Sequence, residues 1–172
     1  MMRVSLSALV LLTFTTSAWA QQSSTPAEAV PSLEFAFEEV VTLGPTMGVG
    51  ETGLGRRTIV PITGGHFAGP RIRGAVMPGG WDWQLLRSDG CTELDANYML
   101  RTDDGAIINV RNKGVACPPG TEGAATGIRT IAAFEAPLGK HHWLASSAFV
   151  GMLVPQESPA VPAVKIRFYR VR

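Results

Sequence analysis

Two Asp-Gly turn signals inside one strand-like stretch are the feature that most constrains the fold of this chain. The stretch Trp81–Gly114 reads WDWQLLRSDGCTELDANYMLRTDDGAIINVRNKG, and Asp89-Gly90 and Asp104-Gly105 divide it into three runs. Asp-Gly between alternating apolar residues is the strongest short-range signal for a β-hairpin. The stretch therefore predicts a three-stranded antiparallel meander.

The second turn also predicts how the two cysteines pair. If residues 103–105 form a three-residue loop, Thr102 lies opposite Ala106, and the same register brings Cys91 opposite Cys117. Directly opposed Cβ atoms are within reach of a disulfide. We therefore predict a Cys91–Cys117 disulfide, which stabilises by about 3 kcal/mol in the chain-entropy model. Two free thiols are the alternative.

The same register gives the meander one polar and one apolar face. Asp95 lies opposite Lys113 on the polar face, which also carries Arg111. The opposite face is apolar, with Tyr98 and Asn112 embedded in it. The simplest interpretation is that the apolar face lines the core while the polar face meets water, where exposed ion pairs contribute little.

Short strand-like runs continue on both sides of the meander. They are Leu33–Glu38, Thr58–Ile62, Arg71–Val76, Ile128–Ala136, Trp143–Val154 and Ala163–Val171. The glycine-rich segment Gly44–Gly55 is interpreted as a flexible loop or rim, and Thr63-Gly64-Gly65 as a turn; a helix remains an alternative for the first half of Trp143–Val154. Frequent turns between short strands predict an all-β fold, a single antiparallel β-barrel of about eight or nine strands.

The sequence gives little support for a cofactor, metal or hydrolase site. Gly48–Gly53 spells G-x-G-x-x-G, but a β-branched run follows where a dinucleotide-binding site needs a helix. His141 and His142 would point to opposite faces of an extended strand, so they would not chelate a metal together. The chain has no G-x-S-x-G motif. We expect neither a cofactor nor a metal.

The N-terminus predicts export. Met1-Met2-Arg3 is followed by a short apolar run and by Ala18-Trp19-Ala20, the pattern of a cleaved signal peptide. We predict a signal peptide at 1–20, a disordered segment at 21–32 and one β-barrel domain at 33–172. The mature protein would be secreted or periplasmic. Without Arg3 it carries 14 basic and 14 acidic residues, a balance that argues against nucleic acid as a partner, and it has no apolar stretch long enough to span a membrane.

Candidate site residues follow from the idea that a closed barrel can hold one small molecule. A carboxylate and a tyrosine in an apolar wall are candidate acid and base, and burial raises the pKa of such a carboxylate. The candidate catalytic residues are Asp82, Tyr98 and Glu135. The candidate ligand-binding residues are Arg57, Trp83, Arg111 and Trp143. The alternatives are a turn-capping role for Asp82 and solvated surface charge for the arginines.

A set of short motifs resembles the domain-of-unknown-function 3237 family, also called uncharacterised protein family 0311. The motifs are Gly64–Pro70, Gly79–Gln84, Asp89-Gly90, Asp95–Tyr98, Asp104–Ala106, Val110–Gly114, Phe134, Trp143-Leu144 and Phe149–Gly151. The resemblance runs from about Leu33 to Val171. It implies a single antiparallel β-barrel. It also implies that most relatives have no assigned activity, while a few fungal ones act as cofactor-free cyclases.

Three functions are consistent with these features. The first is an exported barrel that binds a small apolar or aromatic molecule in its lumen. The second is a cofactor-independent cyclase or isomerase that uses Asp82 or Glu135 with Tyr98 for proton transfer. The third is a structural or interaction domain of the cell envelope, and exposed edge strands would also permit a homodimer. A small-molecule ligand is expected in the first two cases.

Overall fold

A computed structural model describes residues 30–121, 127–156 and 161–172. The predicted signal peptide, and all of the predicted disordered segment before residue 30, lie outside the described residues. The strands are β1 (Leu33–Leu43), β2 (Met47–Thr52), β3 (Gly55–Ala68), β4 (Arg73–Val76), β5 (Gly80–Leu86), β6 (Thr92–Thr102), β7 (Ile107–Ala116), β8 (Ile128–Glu135), β9 (Phe149–Gln156) and β10 (Ala163–Val171), with one short helix, α1 (His142–Ala145), before β9. Within the described ranges, no helix combines the length and apolarity needed to cross a membrane.

The sheet closes because the first strand pairs with the last. From β6 to β10 each strand is antiparallel to its neighbour in the chain, and β10 pairs with β1. The long strand β3 pairs with two strands in succession on each side. These are β1 and β2 on one side and β4 and β5 on the other. Both β4 and β5 pair with β6. The result is a closed antiparallel barrel of eight strand positions, which confirms the predicted fold class.

The predicted meander consists of β5, β6 and β7. Its register is the expected one, with Thr92 opposite Ala116 and Arg101 opposite Ile107. Cys91 and Cys117 extend this ladder by one pair and form a disulfide, with their Cα atoms 4.2 Å apart. Local turn chemistry and alternation were therefore sufficient to predict both the register and the cysteine pair.

Two glycine-rich segments were predicted wrongly. The segment interpreted as a flexible loop contains β2, which is exposed at every position and pairs with β3 through its backbone. Thr63-Gly64-Gly65, interpreted as a turn, lies inside β3. Gly65 has a φ of 135°, and a Cβ there would overlap the carbonyl oxygen of Val40 on β1. The glycines let β3 bend while β1 approaches closely, so they mark a bend within a strand and not its end.

One end of the barrel is filled by aromatic side chains. Phe37, Phe67, Phe134, Phe149 and Phe168 are all buried, with neighbouring ring centroids 4.9–5.8 Å apart. The helix α1 covers this end and buries Leu144 completely. Edge-to-face aromatic packing of this kind stabilises beyond the burial of apolar area alone. We call this the closed end.

The opposite end, next to the disulfide, is less tightly filled, and we call it the mouth. Val60 and Asn112 are buried there, but several other inward-facing side chains are only partly buried. They include Asp82, Gln84, Leu94, Ala96, Leu153 and Val164. Solvent therefore reaches into the barrel from this side.

The close approach of β1 to β3 generates a stability prediction. Gly65→Ala adds a methyl group against the Val40 carbonyl and forces a left-handed backbone on alanine. We expect a loss of about 2 kcal/mol or more in the free energy of unfolding, measured by urea denaturation. Gly48→Ala is the matched control, because nothing lies within 4 Å of a Cβ at that position, and it should change stability by less than about 0.5 kcal/mol. Equal effects of the two substitutions would contradict the structural role given to Gly65.

Candidate functional site

Tyr98 points into the barrel because of the alternation along β6. Its neighbours Asn97 and Met99 are exposed on the outer face, whereas the Tyr98 side chain is 2% exposed. Gly80 on β5 makes room for it, since a Cβ there would lie 2.5 Å from the Cβ of Tyr98. The ring therefore projects across the lumen and not along the wall.

The hydroxyl of Tyr98 meets a carboxyl group that sequence reasoning did not select. Glu39 on β1 is completely buried, and the Tyr98 hydroxyl donates a hydrogen bond to its Oε1. Its other oxygen, Oε2, is buried and has no hydrogen-bond partner among the described residues. The carboxyl group of Glu39 thus keeps one buried oxygen whose hydrogen-bonding capacity is unused among the described residues.

Burial controls the protonation of this pair. Desolvation raises the pKa of Glu39 from 4.5 to about 8, although the hydrogen bond from Tyr98 acts in the opposite direction. Burial also raises the pKa of Tyr98 well above 10, and the nearby charges of Glu39 and Asp82 add to this effect. At neutral pH the pair is therefore a protonated carboxyl and a neutral phenol.

Asp82 also faces the lumen, at the mouth. Its neighbours Trp81 and Trp83 point outward and are 42% and 46% exposed, while Asp82 is partly buried. Its Oδ1 accepts a hydrogen bond from the backbone N–H of Asp95 at 3.0 Å, and its Oδ2 accepts one from Gln84 Nε2 at 2.8 Å. Burial raises the pKa of Asp82, and these two donors oppose that shift. Asp82 is more exposed than Glu39 and accepts two hydrogen bonds where Glu39 accepts one.

Asn112 is a further polar group on the inner wall. Along β7 it follows the fully buried Ile108 and Val110 on the inward face, and it is 3% exposed. Its neighbours in register are Ala96 on β6 and Ala132 on β8. Its Oδ1 is buried without a hydrogen-bond partner among the described residues. The lumen thus combines small apolar side chains with a second unsatisfied polar atom.

The structure places the other candidates away from this group. Arg111 lies on the outer face, where its Nε and Nη2 bind Asp95 at 3.0 and 2.9 Å, and Arg57 lies beside the exposed ring of Trp83. Glu135 is exposed on the outer face of β8. Trp143 packs against the apolar core at the closed end, and the guanidinium group of Arg71 lies 4.5 Å from its ring centroid. Tyr98 and Asp82 are the sequence-predicted candidates that face the lumen together.

The two adjacent histidines lie in different environments, as expected. The expectation assumed an extended strand, whereas in the structure they lie at the start of a helix. His141 immediately precedes α1 and is buried, and its Nε2 lies 3.0 and 3.1 Å from the two carboxylate oxygens of Asp104. His142 is exposed at the start of the helix. The Asp104 contact fastens the segment that covers the closed end to the β6–β7 turn. In the described part of the chain, no three His, Cys, Asp or Glu side chains cluster closely enough to hold a metal ion.

A sequence signal for Glu39 did exist. Phe37, Glu39 and Val41 share one face of β1, so an acidic residue sits in an apolar row. The alternation of apolar and acidic residues from Leu33 to Glu38 is a clearer sequence signal than this row. In the structure, however, the pairing of β1 with β10 shifts register between Phe35 and Phe37. Because that irregularity changes which residues face inward, the face that carries Glu39 follows only from the tertiary pairing.

The raised pKa of Glu39 generates a prediction about pH. The folded protein keeps a proton on Glu39 that the unfolded chain releases between pH 4.5 and about 8. The free energy of unfolding therefore falls as pH rises through this interval, by at most about 1.4 kcal/mol per pH unit from this group. Glu39→Gln removes that dependence, so urea denaturation between pH 5 and pH 8 should give a flatter profile than wild type. Glu135→Gln, at an exposed carboxylate, is the control and should follow the wild-type profile. Parallel profiles for Glu39→Gln and wild type would exclude a protonated Glu39.

Comparison with known proteins gives a consistent result for the whole barrel. A UPF0311 protein of Clostridium acetobutylicum is 33% identical over 156 residues, which cover 80% of this chain and 95% of that protein. A β-barrel-like protein of Acinetobacter baumannii, known from its crystal structure, is 28% identical with a TM-score of 0.76, covering 86% of this chain and 100% of that one. A hydroalkoxylation enzyme of Penicillium herquei is 32% identical over 114 residues, which cover 66% of this chain and 68% of that enzyme.

The family match has the same extent as the barrel. Residues 31–171 match the family described as "Protein of unknown function (DUF3237)", and this range begins just before β1 and ends with the last residue of β10. The closed barrel, the curated relatives and the family match therefore agree with the resemblance seen in the sequence motifs. The chain belongs to the DUF3237 (UPF0311) family.

Proposed function

We propose that this protein binds a small molecule in the mouth half of its lumen and catalyses proton transfer on it. The reaction class we propose is the intramolecular addition of an O–H group across a carbon–carbon double bond, which closes a ring. The observation that carries the proposal is the fully buried Glu39 carboxyl, held by Tyr98 at one oxygen and unpartnered at the other. The hydroalkoxylation enzyme among its relatives supports the choice of reaction.

The chemistry of this reaction requires one acid and one base. The substrate O–H bond breaks, a C–O bond forms at one alkene carbon, and a C–H bond forms at the other. No atom is gained or lost, and there is no net oxidation or reduction. Catalysis is therefore a matter of supplying a proton at one position and removing one at another, which two carboxyl groups in different protonation states can do.

The two luminal carboxyl groups match these requirements. Glu39, protonated at neutral pH, donates a proton from Oε2 to the alkene carbon while Tyr98 holds Oε1. Asp82, whose two carboxylate oxygens accept hydrogen bonds from N–H donors, accepts the hydroxyl proton. Proton exchange with solvent through the mouth then restores both groups. Glu39 and Asp82 are the proposed catalytic residues, and Tyr98 is a positioning residue. Glu135 has no role in this proposal because it lies on the outer face.

Binding without catalysis is the second candidate function. It is favoured by Asn112, whose buried Oδ1 lacks a partner among the described residues although it takes no part in the proposed proton transfers. A barrel that only carries a ligand would need such a group but would not need a protonated Glu39. The two functions share the same binding step and differ in whether the bound molecule is converted.

A model substrate separates these candidates. We expect wild type to convert 2-(3-methylbut-2-enyl)phenol into a cyclic ether, measured by chromatography, and Glu39→Gln and Asp82→Asn each to lower the rate about 100-fold or more. Glu135→Gln should retain the wild-type rate. Binding of this phenol without conversion would favour the carrier function. Conversion that is unaffected by both luminal substitutions would rule out the acid–base assignment.

We also propose that the protein is exported, with its signal peptide cleaved after Ala20. The Cys91–Cys117 disulfide supports this proposal, since disulfides persist mainly in oxidising compartments. When the full chain is expressed in a bacterial host, mass spectrometry of the periplasmic or secreted fraction should find a mature chain that begins at Gln21. Recovery of the protein only in the cytosol with residues 1–20 still attached would contradict export.

A further inference from the structure

We infer that the outer face of the meander binds a neutral β-1,4-linked glycan, with its tryptophans against the sugar rings and its amides on the hydroxyl groups. The site is an open depression of about 480 Å³. Its lining includes Trp81 and Trp83 on β5, Asn97 and Met99 on β6, and Asn109 and Arg111 on β7. We call this surface the indole face. It lies on the outside of the barrel wall, so the inference does not depend on the proposed reaction in the lumen.

The two indoles lie side by side because of the alternation along β5. Residues two apart on a strand share one face and are about 7 Å apart, while Gly80 and Asp82 take the inward positions. Trp81 and Trp83 are both exposed. Single exposed apolar side chains are common on proteins, but tryptophan is among the residues most enriched at binding hot spots. Two adjacent exposed tryptophans that line one depression therefore indicate a recognition surface.

Arg57 restrains one of these rings. Its Nη1 donates a hydrogen bond to the backbone carbonyl oxygen of Trp83 at 3.5 Å, and its Cζ lies 5.9 Å from the centroid of the Trp83 ring. A cation near an aromatic face is attracted to it. Trp83 still has an exposed ring surface, and a ring that is already held in place loses less freedom when a ligand binds.

Polar side chains stand beside the indoles across the sheet. Asn97 on β6 lies opposite Trp81 on one side and opposite Arg111 on the other, and Met99 lies opposite Asn109. Directly opposed side chains on one face are about 5 Å apart. Asn97 is exposed and Asn109 is half-buried. An amide both donates and accepts hydrogen bonds, so these two groups can bind hydroxyls next to the indoles.

The charges that line the depression are paired. Asp95 accepts two hydrogen bonds from Arg111, from Nε at 3.0 Å and from Nη2 at 2.9 Å. A bidentate pair of this kind satisfies both partners and leaves no net charge for a ligand. Arg57 and Lys113 stand at the border of the depression and do not line it. The indole face therefore favours an uncharged ligand.

A neutral glycan matches both parts of this surface. The C–H groups of a sugar ring are polarised by neighbouring oxygens, so they suit the negative face of an indole. In a β-1,4-linked glucan the ring substituents are equatorial, which leaves C–H groups on both faces of each ring and hydroxyls at its edge. A lipid chain or an apolar protein surface would instead remove water from Asn97, Asn109 and Arg111 without replacing its hydrogen bonds, which is unfavourable.

Three probes test the length and the charge of the ligand. They are glucose, cellohexaose and a β-1,4-linked hexaglucuronate, with dissociation constants measured by isothermal titration calorimetry at pH 7. Since two indoles can contact neighbouring rings of one chain, wild type should bind cellohexaose at least about tenfold more tightly than glucose. Hexaglucuronate, which has the same linkage but carries carboxylates, should bind at least about fivefold more weakly than cellohexaose.

Variants locate the site on the indole face. Trp81→Ala and Trp83→Ala should each weaken cellohexaose binding at least about tenfold, and Asn97→Ala about threefold or more. Ile131→Ala is the matched control, because Ile131 is an exposed apolar residue on the outer face of β8, and it should retain the wild-type affinity. Glu39→Gln should also retain it, since Glu39 lies inside the barrel. Thermal unfolding verifies that each variant is folded.

Three results would overturn the inference. They are no binding of cellohexaose in the millimolar range, unchanged affinity in both tryptophan variants, and tighter binding of hexaglucuronate than of cellohexaose. Sedimentation of wild type and of Trp81→Ala examines a different occupant of the same surface. If wild type is a dimer and the substitution makes it a monomer, the indole face is an interface between two copies of this chain and the glycan inference is wrong.

Discussion

The pairing of β1 with β10 on one side and with β3 on the other is the constraint on which the rest of this structure depends. It joins the start of the domain to its end, so that among the described strands only β2 keeps a single partner. It also gives β1 an inner face that is surrounded by the remaining strands. Phe37, Glu39 and Val41 on that face are buried, and Glu39 is completely so. The unusual protonation of Glu39 is thus a consequence of how the barrel closes.

Depth in the lumen separates the two inward-facing carboxyl groups. Glu39 is fully buried and receives one hydrogen bond, from a phenol. Asp82 lies nearer the mouth and receives two hydrogen bonds from nitrogen donors. Burial raises both pKa values, and hydrogen bonds oppose it at both sites. This difference in depth underlies the roles that we propose, the deeper carboxyl group as proton donor and the outer one as proton acceptor.

The two ends of the barrel differ in how deeply their inward-facing side chains are buried. At the closed end, phenylalanine rings pack against one another under α1, and Asp104 binds both Lys140 and His141. At the mouth, the disulfide joins the loops after β5 and β7 and holds the rim where the inward side chains are only partly buried. Rigid support on both sides of a binding site limits the loss of order when a ligand binds. The polar outer face of the meander forms the Asp95–Lys113 pair predicted from the sequence and, in addition, an Arg111–Asp95 pair; at the surface these contribute little to stability.

By itself, the sequence determined the local features of the structure. The Asp-Gly turns and the two-residue alternation were enough to predict the meander, its register and the Cys91–Cys117 bond, because each depends on residues close together along one hairpin. The tertiary structure decided what lies far apart in the chain. Tyr98 and Glu39 are 59 residues apart, and their contact depends on closure of the barrel and on a bulge in β1. Gly64 and Gly65 likewise signal a turn in the sequence, and only the approach of β1 shows that they keep a strand continuous while it bends.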